Sequence, residues 1–143
     1  MSTQENQSIV RRLWEEVWNQ RALNVCDEIF DAEYAKHEKR FAPAIWAAFP
    51  DSHHTIEDLI AQGDKVVTRF TWRATHRGEF RGIAPTGRQV EVQGLWIHRL
   101  TGGKIVEGKQ WGVMDMLGLL EQLGVTIAPP AQNEASSNGE SIA

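Results

Sequence analysis

The side chains of this 143-residue chain whose ordinary pKa lies nearest neutrality are its five histidines. His37 lies in the charged stretch AKHEKR, His98 near the end of QVEVQGLWIHRL, His76 at the end of RATH, and His53 and His54 side by side. An imidazole titrates near neutral pH, so His37 and His98 are candidates for handling a proton or polarising a carbonyl. For each a bland reading stands beside it: His37 as a solvent-exposed histidine, His98 as a surface residue at a strand end. A second source of chemistry is the junction GGKIVEGKQWGVMDMLGLLEQLG, a strand running almost directly into a helix. Such a junction can deliver a side chain to the mouth of a pocket. Its candidates are Gln110, Trp111 and Asp115, of which only Asp115 is a proton carrier, and Asp115 is placed to cap the helix that follows. Neighbours on a strand point to opposite faces, so His53 and His54 do not readily share a metal. No metal is expected.

Six tryptophans accompany one tyrosine. Large rings fill cores and also line pockets for flat apolar ligands, and either role suits Trp14, Trp18, Trp46, Trp72, Trp96 and Trp111.

The elements that must position these groups follow from periodicity. Ile9, Val10, Leu13, Trp14, Val17 and Trp18 recur at helical spacing and predict a helix over 4–19. A short helix is expected at about 22–30. Residues 32–40 read as a short strand or an extended link, and 41–49 as a short buried helix with Pro43 in its first turn. The period then changes. Residues 54–62 alternate loosely. In 65–76, Val66, Thr68, Phe70, Trp72, Ala74 and His76 share one face. Arg69 and Arg73 lie on the other, where a salt-bridged outer surface is the simpler reading and an oxyanion clamp the alternative. A Gly- and Pro-bearing loop covers 77–89, a strand 89–100, a tight turn 101–103 and a last strand 104 to about 112. The closing helix, 115–123, carries Met116, Leu119, Leu120 and Leu123 as its apolar stripe. Residues 1–125 are expected to form one domain, and the polar, Pro-bearing segment 126–143 a disordered tail.

Composition limits the class. Net charge is −4 with no basic stripe, which argues against nucleic acid. The single cysteine, Cys26, permits no internal disulfide and fits a reducing compartment. No apolar run reaches the ~18 residues of a membrane span, and the first residues lack a signal-peptide core, so a cytoplasmic protein is expected. Helices, then antiparallel strands, then a helix, give an α+β fold. A curved antiparallel sheet with helices across one face leaves a conical space, and a cone too wide for side chains becomes a ligand cavity.

The pieces AAFPD, TIEDLIAQGDKV, RATHRGEFRGIAPTGRQVEV, HRLTGGKIVE and DMLGLLEQLG together resemble the SnoaL-like polyketide cyclases, ester-cyclase-like members of the NTF2-like superfamily of cone-shaped α+β barrels. The resemblance covers about residues 4–124. It implies a cytoplasmic homo-oligomer, dimer or tetramer, that holds a polyketide-like ligand in the cone without metal or cofactor. It also implies cofactor-free acid/base chemistry, typically an intramolecular aldol closure, although the family includes isomerases, hydroxylases and pericyclic cyclases. In the cyclases the base is an aspartate on the last strand. Counting from Gly103-Lys104-Ile105, that place is Gln110; counting back from the closing helix, it is Gly112. Neither is a carboxylate. Trp96 stands where the cyclases carry a cavity histidine, and His37 where relatives often carry His or Asn. The resemblance therefore implies His37, Gln110 and His98 as catalytic candidates, and Trp14, Trp18, Trp46, His76 and Trp96 as ligand-binding ones. The segment between His37 and Ala48, which roofs the cavity in the family, is short here, so a widened mouth is expected, with Trp46 filling part of the gap. Two functions remain open: a cyclase or isomerase acting on a conjugated carbonyl compound, and a non-catalytic ligand-binding cone that has lost the family aspartate.

Overall fold

The computed structural model describes residues 2–126 and 128–131. Helix α1 (Thr3–Arg12) begins at a capping box: the Glu5 amide donates to Ser2 Oγ at 3.1 Å, and the Ser2 amide donates to Glu5 Oε2 at 3.3 Å. It continues without a break into a wider π-helical segment, Leu13–Asn19, whose Leu13, Trp14, Val17 and Trp18 are all buried. Short helix α2 (Cys26–Ile29) follows.

Residues 32–48 correct the sequence reading. The expected extended link and the short helix after it are one α-helix, α3 (Ala32–Ala48). Asp31 caps it, accepting a hydrogen bond from the Tyr34 amide at 2.8 Å, and Pro43 lies in the helix interior instead of its first turn. The buried positions are Tyr34, Ala35, Glu38, Ala42, Trp46 and Ala48. They hold helical spacing, but alanines and a glutamate occupy the inward face, so the stripe does not stand out as apolar.

The sheet runs β1 (His53–Gln62), β2 (Lys65–Thr75), β3 (Gln89–Thr101) and β4 (Lys104–Glu107), all antiparallel, with β5 (Gly112–Met114) also paired to β3. The expected face of β2 holds: Val66, Thr68, Phe70, Trp72, Ala74 and His76 are all buried. The opposite face carries ion pairs, Arg69 with Asp58 at 2.7 Å and Arg73 with Glu91 at 2.6 Å, as the simpler reading had it.

The last strand is not continuous. It stops at Glu107, turns through a 3₁₀ segment at Lys109–Trp111 and resumes as β5. Gly108 sits against the His98 ring, where an added Cβ would lie 2.3 Å from Cδ2, so only glycine lets the chain pass over that imidazole. Helix α4 (Met116–Gln122) closes the fold, capped by Asp115 as expected, with Gly118 N–H donating to Oδ1 at 2.9 Å. Gln122 fastens it to β3 by paired bonds to the Glu91 backbone at 2.8 and 2.9 Å. Of the expected tail, residues 132–143 lie outside the described residues. Among the described residues no helix is long and apolar enough to cross a membrane.

Candidate functional site

Between the inner face of the sheet and the helices lies a cavity of about 740 Å³. Its inner part is aromatic. The Trp14 ring packs 4.8 Å from Phe70, 5.0 Å from His54, 6.0 Å from His98 and 6.3 Å from Trp96, measured between ring centroids. The Trp14 indole donates to Thr68 Oγ1 at 3.2 Å, which fixes the ring and satisfies a buried N–H. The π-helical segment presents Trp14 and Trp18 to the cavity together. Helix α3 forms a second wall with Tyr34, His37, Glu38, Phe41 and Ile45, so this short segment still roofs the space.

Glu38 is the group that sequence reasoning missed. It lines the cavity, is 7% exposed, and accepts a hydrogen bond at Oε1 from the Trp18 indole at 2.7 Å. Among the described residues it has no cationic partner and no second donor. Burial raises its carboxyl to about 7, with the Trp18 hydrogen bond pulling the other way. The cavity therefore contains an ionisable acid, contrary to the expectation of an amide alone. One signal was available in the sequence: Asp31 as an N-cap followed by helical spacing of Tyr34, Ala35, Glu38 and Ala42.

The other candidates divide. His98, read as a strand-end surface residue or a cavity group, is 1% exposed and lines the cavity. Its Nδ1 has no hydrogen-bond partner, and burial pushes the imidazole down to about 3. It stays neutral near pH 7, available to donate or accept a hydrogen bond but not to hold a charge. His54, which was not singled out, is a second neutral cavity imidazole, driven to about 3 by burial and by neighbouring His53. The Asn19 side chain brackets its backbone, with both bonds 2.8 Å long. His37 lies at the mouth, its ring stacked on Phe41 at 5.7 Å, and its pKa is lowered by partial burial and by the Lys109 and Arg40 charges.

Gln110 lines the rim but is exposed, because it sits on the 3₁₀ turn and not on a strand. Gln110 therefore lies outside the strand that carries Gly112. Trp46 and His76 are not part of the cavity wall. Trp46 packs behind Trp18, 5.8 Å between rings, beneath the Arg21 guanidinium. His76 is a buried tie: its Nδ1 accepts from the Thr86 amide at 3.1 Å and lies 3.0 Å from the Thr86 hydroxyl, holding the 77–89 loop to the end of β2.

The absence of a carboxylate at residue 112 has a steric cause. A Cβ at Gly112 would fall 2.2 Å from the Trp96 indole. The ring fills the volume that a side chain at residue 112 would need.

Helices folded across a curved antiparallel sheet around an aromatic cavity define an α+β fold of the NTF2-like type. Residues 8–123 match the model of the SnoaL-like polyketide cyclase family, and the chain belongs to that family. Solved structures agree. IdmH from Streptomyces antibioticus, a candidate polyketide cyclase, is 31% identical over 84% of this chain and 99% of its own, with a TM-score of 0.72. AclR from Streptomyces galilaeus, a candidate hydroxylase, is 28% identical over 90% of this chain and 91% of its own, with a TM-score of 0.73. TsrD from Streptomyces laurentii is 26% identical over 88% and 99%, with a TM-score of 0.78. No curated protein matches the chain significantly.

Proposed function

We propose that the protein catalyses cofactor-free acid/base chemistry on a flat, conjugated carbonyl compound, an intramolecular aldol cyclisation or a related isomerisation, with Glu38 as the proton carrier. The observation that carries this reading is a buried carboxyl without a counter-ion, fixed at one oxygen by the Trp18 indole, in an otherwise aromatic cavity. A carboxyl titrating near 7 is matched to the work of a general base at neutral pH. The ionised form removes a proton from the carbon between two carbonyl groups. The resulting enolate carbon attacks a second carbonyl carbon, forming the C–C bond, and the new alkoxide regains the proton from Glu38. The neutral imidazoles of His54 and His98 supply hydrogen bonds to carbonyl oxygens without adding charge. The tilted and edge-on rings of Trp14, Phe70 and Trp96 wall the cavity that holds the substrate and brings its ends together.

Family membership supports a polyketide-like substrate and a homo-oligomeric state. Light scattering on the purified chain measures the second of these.

The competing reading, a ligand-binding cone without catalysis, draws on exposed Gln110 and the glycine at 112. One experiment separates the two. An anthraquinone bearing a β-keto ester arm is incubated with the native protein and with Glu38→Gln in D₂O. Exchange at the acidic carbon is followed by NMR, and ring closure by absorbance at constant mass. The expected result is a loss of about 10²-fold or more in exchange and closure, with ligand binding retained. Rates in both proteins no higher than in protein-free buffer would leave the binding-only reading standing, and equal rates above that background would remove Glu38 from the chemistry.

A further inference from the structure

Beside the aromatic cavity lies a second depression, of about 590 Å³, lined by Glu33, Lys36, His37, Lys39, Arg40 and Lys109. The two spaces share His37 and Lys109, so the depression is a vestibule of the main cavity. Its charge is one-sided. Lys36 faces Glu33 at 3.4 Å, and Lys39 is held by Asp27 at 2.6 Å. Arg40 and Lys109 have no carboxylate partner among the described residues. Lys36 and Arg40 are four apart on α3, a like-charge spacing that weakens a helix. Lys109, brought to the same depression by the 3₁₀ turn that interrupts the last strand, adds a fourth cation to Lys36, Lys39 and Arg40. Glu33 is the single carboxylate lining it. The main cavity, by contrast, holds an uncompensated acid in an aromatic lining.

We propose that this vestibule is an anion subsite, and that the ligand is an aromatic compound whose side arm ends in a free carboxylate. Its ring system enters the cavity, and its carboxylate stays at the mouth between Arg40 and Lys109. This deepens the proposed function and rests on its reading of the cavity as a receptor for a flat apolar body. The division has a physical reason. An anion carried into the inner cavity would meet the Glu38 carboxyl without a compensating cation, whereas at the mouth it remains partly hydrated and gains two cations. The guanidinium of Arg40 offers a carboxylate a planar pair of donors, and Lys109 offers a mobile point charge.

The test compares anthraquinone-2-carboxylate with its methyl ester, titrated at pH 7.5 against tryptophan fluorescence. The proteins are the native chain, the Arg40→Gln/Lys109→Gln double variant and Lys65→Gln, which removes a surface charge held by Asp64 elsewhere. The native protein is expected to bind the carboxylate about tenfold more tightly than the ester, and this advantage shrinks as salt is raised. The double variant loses the advantage while its ester affinity stays within about twofold, and Lys65→Gln keeps it. Equal binding of acid and ester by the native protein would overturn the subsite alone, as would an advantage that survives in the double variant. Failure of both compounds to bind the native protein would overturn the cavity reading and this inference with it.

Discussion

Replacing Glu38 with glutamine tests the buried acid without needing a substrate. Glutamine keeps the shape and an oxygen to accept from the Trp18 indole, but cannot ionise. In the folded state the carboxyl titrates at about 7, and in the unfolded chain near its model value of 4.5. Between those values the folded protein holds a proton that the unfolded chain has released, so stability falls as pH rises through the window. The penalty is absent below the unfolded value and complete above the folded one. At pH 8 it amounts to about 3 kcal/mol, of which about 2 kcal/mol develops between pH 5.5 and 8. Urea unfolding of the two proteins at these pH values gives the difference directly, and contributions from other groups cancel between them. The glutamine variant is expected to gain on the native protein by about 2 kcal/mol across the interval. A stability difference that stays constant with pH would mean that Glu38 reaches water, and the argument for a cavity base would fall with it.

Other outcomes follow from the same packing. Trp18→Phe removes the indole N–H that favours ionised Glu38, so the carboxyl resonance followed by ¹³C NMR should titrate at higher pH than in the native protein. Gly112→Ala drives a methyl group into the Trp96 indole and is expected to cost about 1–3 kcal/mol in urea unfolding; pairing it with Trp96→Ala should recover much of that loss. His54 and His98 are neutral when folded, with pKa values held below those of the unfolded chain. Stability should therefore fall as pH drops below 6.5, by about 2 kcal/mol for each histidine by pH 5, and His98→Gln should remove one share. Thr86→Val deprives the His76 tie of its hydroxyl and is expected to lower stability by about 1 kcal/mol while leaving affinity for the aromatic probe unchanged.

Much of this protein is written locally in its chain. The alternation of Val66 to His76, the glycine turn at 101–103, the stripe of Leu119 and Leu123 and the Asp115 cap each follow from a few neighbouring residues, and the structure realises all of them. The resemblance carried by the loop and strand motifs placed the chain in its family. The active face was less legible, because its decisive features join residues far apart in sequence. Glu38 occupies a core position of α3, and a charged residue there hides the periodicity that would reveal both the helix and the site. Trp96 and Gly112 each stand out in the sequence as a departure from the family pattern, without showing that the two touch. Only the pairing of β3 with β5 brings the ring over the glycine and shows why no acid can stand there. Lys109 was a surface lysine until the turn after Gly108, forced by the His98 ring, brought it to the cavity mouth beside Arg40. Periodicity reports which side of an element is buried. Which buried groups then meet, and which charges go unanswered, depends on contacts that close only when sheet and helices pack together.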